Sequence, residues 1–257
     1  MQPARAGAPP IAIPAAIALA WLIAIAAQLS GSAVLLHHDE LIERGPPLGA
    51  ALGLFALAWI VMIAAMMLPS SLPFMRLFAL ASRNQPQAGL VQAAFFGAYV
   101  LVWLAFGMLA FAGDLAVHRT VDAVVFLSAH PWFVGGGVLA AAGAFQFTKL
   151  KDACLRACRL PGNFLLHHYR RGIPAALHLG YRHGLYCVGC CWALMLVSFA
   201  AGFANLWWMA ALTALMVFEK TAHRGKAAVP FAGMVLLVWS ALIFAHPAWL
   251  PRALAGF

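Results

Sequence analysis

Apolar residues run along this chain in long stretches, separated by short polar or basic connections. A helix that crosses a bilayer needs about 20 apolar residues. The stretches fall at about 11–36, 48–68, 88–112, 132–147, 185–203, 206–218 and 229–244. They predict an all-α fold, a polytopic transmembrane helix bundle of about seven spans forming a single integral membrane domain over 1–257. Span 2 runs into Pro69 and Pro73. Span 4 is short unless it continues into the stretch that follows it. Spans 5 and 6 are joined by Ala204 and Asn205 without a charged residue. Span 6 is short for a perpendicular crossing and reads either as a span or as a re-entrant segment buried in protein. The segment 115–129 reads as an interfacial helix or a structured loop.

Composition agrees with lipid as the solvent. The chain is 65% hydrophobic and 9% charged, with a mean hydropathy of +0.90; soluble domains carry roughly 25% charged residues. The N-terminal run is far longer than a signal-peptide core of roughly 7–15 residues. Although Ser30-Gly31-Ser32-Ala33 has the small residues of a cleavage site, the run is expected to stay as the first span.

The net charge of +9 is a topology signal rather than a nucleic-acid footprint, because the basic loops lack aromatic stacking platforms. Lys149, Lys151, Arg156, Arg159, Arg170, Arg171 and Arg182 fall between spans 4 and 5. Arg76 and Arg83 lie between spans 2 and 3, Lys220, Arg224 and Lys226 between spans 6 and 7, and Arg5 before span 1. A seven-span arrangement puts all of them on one side, which the positive-inside rule makes cytoplasmic. The expectation is a multi-pass inner-membrane protein with a cytoplasmic N-terminus and a C-terminus near Arg252 outside. His37, His38, Asp39, Glu40, Glu43 and Arg44 fall on the outer side, as do Asp114, His118, Arg119 and Asp122.

The candidate chemistry sits in five cysteines. They form two groups, Cys154-Leu-Arg-Ala-Cys158 and Cys187-Val-Gly-Cys190-Cys191, and no other cysteine occurs. Cys154 and Cys158 lie one helical turn apart, and so do Cys187 and Cys191. Such pairs can supply sulfur to Zn²⁺, Cu(I) or an iron–sulfur cluster, or two dithiols to redox chemistry. The predicted topology puts both groups on the cytoplasmic side, and the connection 160–184 is long enough to bring them together. That compartment is reducing, which favours metal binding or transient redox over a permanent disulfide. Sulfurs sharing one tetrahedral zinc would lie roughly 3.7–4 Å apart. The plain alternative is that the cysteines pack as small apolar residues.

Other side chains extend the set. Met66 and Met67 end span 2, and Trp59, Met62 and Met66 share one stripe; thioethers prefer Cu(I), although methionine also fills gaps. Glu219 ends span 6 and is expected to face Cys187, Cys191 or His183 if spans 5 and 6 form a hairpin. A carboxylate beside membrane spans is costly and often functional. His183 stands one turn before Cys187 on the same face. His167, His168 and His178 lie in the same connection. The chain shows no nucleophile elbow, phosphate loop or zinc-protease helix, no histidines at haem-ligand spacing in facing spans and no mid-membrane carboxylates. These absences lean away from an enzyme.

Three motifs resemble an uncharacterised bacterial family described as predicted metal-binding integral membrane proteins. They are Trp59-Ile-Val-Met62-Ile-Ala-Ala-Met66-Met67-Leu-Pro69, Phe147-Thr148-Lys149-Leu150-Lys151-Asp-Ala-Cys154-Leu155-Arg-Ala-Cys158-Arg159 and Gly184-Leu-Tyr-Cys187-Val-Gly-Cys190-Cys191-Trp192-Ala-Leu-Met195. The Glu219-Lys220 pair fits as well, while the family often shows Thr-Pro-Leu-Lys where this chain has Thr148-Lys149-Leu150-Lys151. The resemblance implies metal binding and names neither a metal nor an activity.

The resulting expectation is a membrane protein holding a soft transition metal at Cys154, Cys158, Cys187, Cys190, Cys191, Glu219, His183, Met66 and Met67. Copper(I) comes first and zinc second, in transport, sensing or delivery to an undefined protein partner. The alternatives are a membrane thiol–disulfide oxidoreductase and a structural subunit whose helices a metal staples.

Overall fold

The computed structural model describes residues 12–32, 41, 46–130, 132–201 and 205–249. His37, His38, Asp39, Glu40, Glu43, Arg44, Arg5 and Arg252 lie outside that set. The described residues form helices and connections, with no strand among them. Residues 48–82 make one long helix, built of α2 (Leu48–Met62), a π-helical turn (Ile63–Met67) and α3 (Leu68–Ser82). Before it stands α1 (Ala12–Leu29). After it come α4 (Ala88–Ala123) and the short α5 (Val125–Ala129). Then follow α6 (Trp132–Phe145), α7 (Lys149–Arg159) and α8 (Pro161–His168). The chain closes with α9 (Ile173–Ala200), α10 (Leu206–Thr221) and α11 (Gly225–Ala245).

Five of these helices are long and apolar enough to cross a membrane, six if α6 and α7 count as one bent span. With 16 residues, α10 is shorter than they are. Leu57, Leu101, Leu109 and Phe231 stand uncovered, whereas Lys151, His183, Glu219 and Lys220 are buried. Charged side chains are almost never fully buried unless they are paired.

Several helices run past the limits drawn from the sequence. The helix of span 2 passes Pro69 because the lost hydrogen bond is replaced. Proline has no N–H for the carbonyl four residues back, here Ala65. The backbone widens into the π turn there, and the Trp21 indole donates to the Ala65 carbonyl at 3.1 Å. Span 3 continues through 115–123 as part of the 36-residue α4, about 54 Å long at 1.5 Å per residue. Its buried positions Phe95, Tyr99, Trp103, Gly107 and Phe111 keep a spacing of one turn, so a single seam carries the helix on.

Span 5 begins a dozen residues early, at Ile173, where Pro174 occupies the first turn of α9. His183 and the second cysteine group therefore share one continuous helix. α9 packs against α4 more extensively than any other helix pair. Gly180 and Gly184 make that approach possible. A Cβ at 180 would fall 2.2 Å from the Phe95 carbonyl oxygen, and one at 184 would fall 2.9 Å from Val102 Cβ. Small residues one turn apart let helix backbones close in this way.

The axes of α6 and α7 meet at 65°. Thr148 makes the corner: its hydroxyl accepts from the Lys151 N–H at 3.2 Å and caps α7. Asp152 in the first turn, with Arg156 and Arg159 in the last, matches the helix dipole. The apolar edge of α7, Cys154 and Leu155, turns into the bundle together with Lys151.

Candidate metal centre

The folding of α7 back onto α9 brings the two cysteine groups together. Cys158 Sγ lies 3.8 Å from Cys190 Sγ, and Cys190 Sγ lies 3.3 Å from Cys191 Sγ. Cys154 rests over Gly189, where a Cβ would stand 2.6 Å from its sulfur. Cys187, Cys190 and Cys191 are fully enclosed, and Cys158 is half-buried.

Cys187 receives the strongest polar attention. Lys220 Nζ stands 3.2 Å from its sulfur, the Tyr99 hydroxyl 3.2 Å and the Ser71 hydroxyl 3.6 Å. Lys220 also donates to Ser70 Oγ at 2.9 Å. An ammonium and two hydroxyls around one sulfur are the surroundings of a thiolate, because each offers positive charge or a donor to it. α3, α4, α9 and α10 each contribute to this shell.

Glu219 does not join it. The expected direction was toward Cys187, Cys191 or His183, yet its carboxylate accepts from Lys151 Nζ at 2.7 Å, and both side chains are fully buried. Successive helix residues point about 100° apart. Glu219 and Lys220 therefore serve different neighbours, Glu219 tying α10 to α7 and Lys220 reaching α9 and α3. Arg159 reinforces the first tie by donating to the carbonyls of Glu219 and Ala222, the latter at 2.9 Å.

His183 lies flat on Phe74, with ring centroids 4.0 Å apart and planes at 12°. Its Nε2 is buried without a hydrogen-bond partner in the described structure. The ring helps line a cavity of about 120 Å³ with Ser70, Ser71, Cys158, Arg159 and Lys220. Met66 and Met67 are buried, and Met66 Sδ accepts from Ser198 Oγ at 3.6 Å.

Among the described residues, no three His, Cys, Asp or Glu side chains stand ready as a metal-ligating group. The thiols are engaged otherwise: Cys190 donates to the Cys187 carbonyl at 3.2 Å while Cys187 faces Lys220 and Tyr99. Binding an ion requires deprotonation and release of such bonds. The donor set nonetheless has a clear chemical bias. Thiols are soft donors, which favour Cu(I) or Zn²⁺ over a hard, oxygen-seeking cation.

A family model described as copper chaperone, PpoB2, matches residues 56–243 of the chain. The chain belongs to this family. The match begins within α2, ends within α11 and takes in all five cysteines, Lys220 and Glu219. It gives the chain a copper-related role. Comparison with curated proteins and with solved structures yields no match. The PpoB2 match agrees with the metal-related resemblance in the motifs and adds copper to it.

Sequence reasoning missed Lys220 as a partner of cysteine, along with Tyr99, Ser70 and Ser71. Lys220 had one available signal, a lysine beside Glu219 at the end of an apolar stretch. The hydroxyl groups had none, since serine and tyrosine are ordinary residues in membrane helices.

Proposed function

We propose that this protein is a multi-pass inner-membrane Cu(I) chaperone whose cysteine cluster receives the ion on the cytoplasmic side and passes it to a partner protein. The carrying observation is the 3.8 Å approach of Cys158 to Cys190, which joins sulfur from α7 to sulfur from α9. That separation matches sulfurs sharing one ion. The lipid bilayer is the surrounding partner, and the excess of basic residues between the apolar stretches supports the cytoplasmic side. The proposal includes no nucleic acid.

Cu(I) is cargo here. Cys158 is the accessible thiol and borders the cavity, so it makes first contact. Cys190, Cys191 and Cys187 then offer enclosed sulfurs, and the ion moves inward by exchange of sulfur ligands without change of oxidation state. Two thiolates on Cu(I) carry one net negative charge, which Lys220 balances. His183 stands at the cavity as a further nitrogen donor. Glu219 and Lys151 hold α7 in place and do not touch the ion.

Anaerobic titration of the reduced, detergent-solubilised protein against a chromogenic Cu(I) chelator tests this reading. The expected result is at least one tightly held Cu(I) per chain, lost when Cys158, Cys187, Cys190 and Cys191 are replaced by serine. A preference for Zn²⁺ over Cu(I) would assign zinc as the cargo. A disulfide that cycles under a redox buffer without metal would assign the oxidoreductase reading instead.

A further inference from the structure

Sulfur continues into the bundle beyond the thiols. On the face of α9 that carries Cys187 and Cys191, Met195 follows one turn further on and Ser198 about two turns on, roughly 10 Å past Cys191. Opposite Ser198 stand Met62 and Met66. Ser198 Oγ lies 3.6 Å from Met66 Sδ and 4.0 Å from Met62 Sδ. One hydroxyl therefore lies within 4.0 Å of both thioether sulfurs. All four side chains are buried.

Two observations set this arrangement apart from methionine used as filler. The first is the hydroxyl. Ser82, Thr213 and Thr221 each donate to the carbonyl one turn back in their own helix, at 2.8, 2.6 and 2.7 Å. Such back-bonding is the usual outlet for a hydroxyl within a helix. Ser198 turns to sulfur instead. A donor hydroxyl beside two thioether sulfurs offers positive charge to the side of them that a cation would occupy. The second is the backbone. Met66 lies in the π turn that accompanies Pro69, a kind of irregularity frequent at functional sites.

We propose that Met62 and Met66 form a second Cu(I) site made of thioethers, deeper in the bundle than the cysteines and reached past Met195. It rests on the reading of the cysteine cluster as a copper site. Transfer between the two breaks copper–thiolate bonds as copper–thioether bonds form. No electron moves, each released thiolate regains from solvent the proton its thiol gave up when the ion bound, and Ser198 swings aside to free the sulfur lone pairs. Neutral thioethers hold the ion more weakly than thiolates, which suits a station that must release it.

The test uses Ag(I), a redox-inert ion with the same preference for sulfur, titrated calorimetrically into the detergent-solubilised full chain. The wild type should show a tight and a weaker class of site. Replacing all five cysteines with serine should remove the tight class and leave the weaker one. Met62→Leu/Met66→Leu, which nearly conserves volume, should do the reverse. In wild type carrying ¹³C-methyl methionine, Ag(I) beyond the tight class should shift the Met62 and Met66 methyl resonances, a readout that needs no variant to fold. A single class of site with unmoved Met62 and Met66 resonances overturns the thioether site and leaves the cysteine reading intact. Absence of any Ag(I) binding by the wild type overturns the cysteine reading and this proposal with it.

Discussion

The ammonium of Lys220 lies 3.2 Å from the sulfur of Cys187, with both side chains enclosed by protein. A buried charge persists only when it is paired and hydrogen-bonded. Lys220 meets that condition through Cys187 and Ser70. The pair is therefore expected to set how readily the cluster supports a negative copper–thiolate unit. Lys220→Met keeps an unbranched chain and removes the charge. Cu(I) affinity should fall roughly 10–100-fold, the usual size of a lost partner to a metal ligand, while Lys220→Arg retains most of it. Chelator competition on the three proteins measures the effect.

Glu219 carries a different expectation. It secures Lys151 on α7 rather than touching a thiol. Glu219→Gln should leave a buried lysine poorly compensated and destabilise the fold by about 3–5 kcal/mol, the cost of breaking a buried pair from one side. Glu219→Leu together with Lys151→Met should recover most of that loss, since an apolar replacement of a whole buried pair is often neutral. Thermal unfolding in detergent separates the two outcomes. If Glu219→Gln is as stable as wild type but binds Cu(I) less well, Glu219 acts on the ion directly.

Residues 180 and 53 give a matched comparison. A Cβ at 180 meets the Phe95 carbonyl oxygen at 2.2 Å, whereas one at 53 meets nothing within 4 Å. Backbone cannot yield as a flexible side-chain tip does. Gly180→Ala should therefore force α4 from α9, draw Tyr99 away from Cys187 and lower the yield of monodisperse protein. Gly53→Ala should behave as wild type or gain slightly from reduced chain entropy. Size-exclusion profiles after extraction compare them.

Much of this arrangement is written in local pattern. The apolar stretches mark the helices, and the spacing of Cys187, Cys190 and Cys191 places them on neighbouring helix positions whichever way the chain folds. The rest depends on contacts between distant residues. Pro69 reads as the end of a span because its rescue, the Trp21 indole on Ala65, comes from 44 residues away. Glu219 and Lys220 are adjacent at the end of one helix, and their order alone does not say which of them faces the thiols. The start of α9 at Ile173 is hidden because His178, Arg182 and His183 look like a polar loop until α3, α4 and α8 cover part of that turn.

Orientation follows from charge. A reporter fused after Arg171 should be active only in its cytoplasmic form, because the cationic residues around α7 and α8 favour that side. Activity only in the periplasmic form would place the cysteine cluster on the outer face and reverse the direction of copper transfer.

The central claim is that cysteines from α7 and α9 hold one Cu(I) together. X-ray absorption at the copper edge, on the complex with one equivalent of Cu(I), reads the ligands directly. The wild type should show an all-sulfur first shell, and Cys158→Ser should lose one sulfur neighbour with at least a roughly tenfold drop in affinity, as expected when a ligand is removed. An unchanged sulfur shell and affinity in Cys158→Ser would mean that the α9 cysteines bind alone, and the 3.8 Å meeting of Cys158 with Cys190 would then have no part in copper binding.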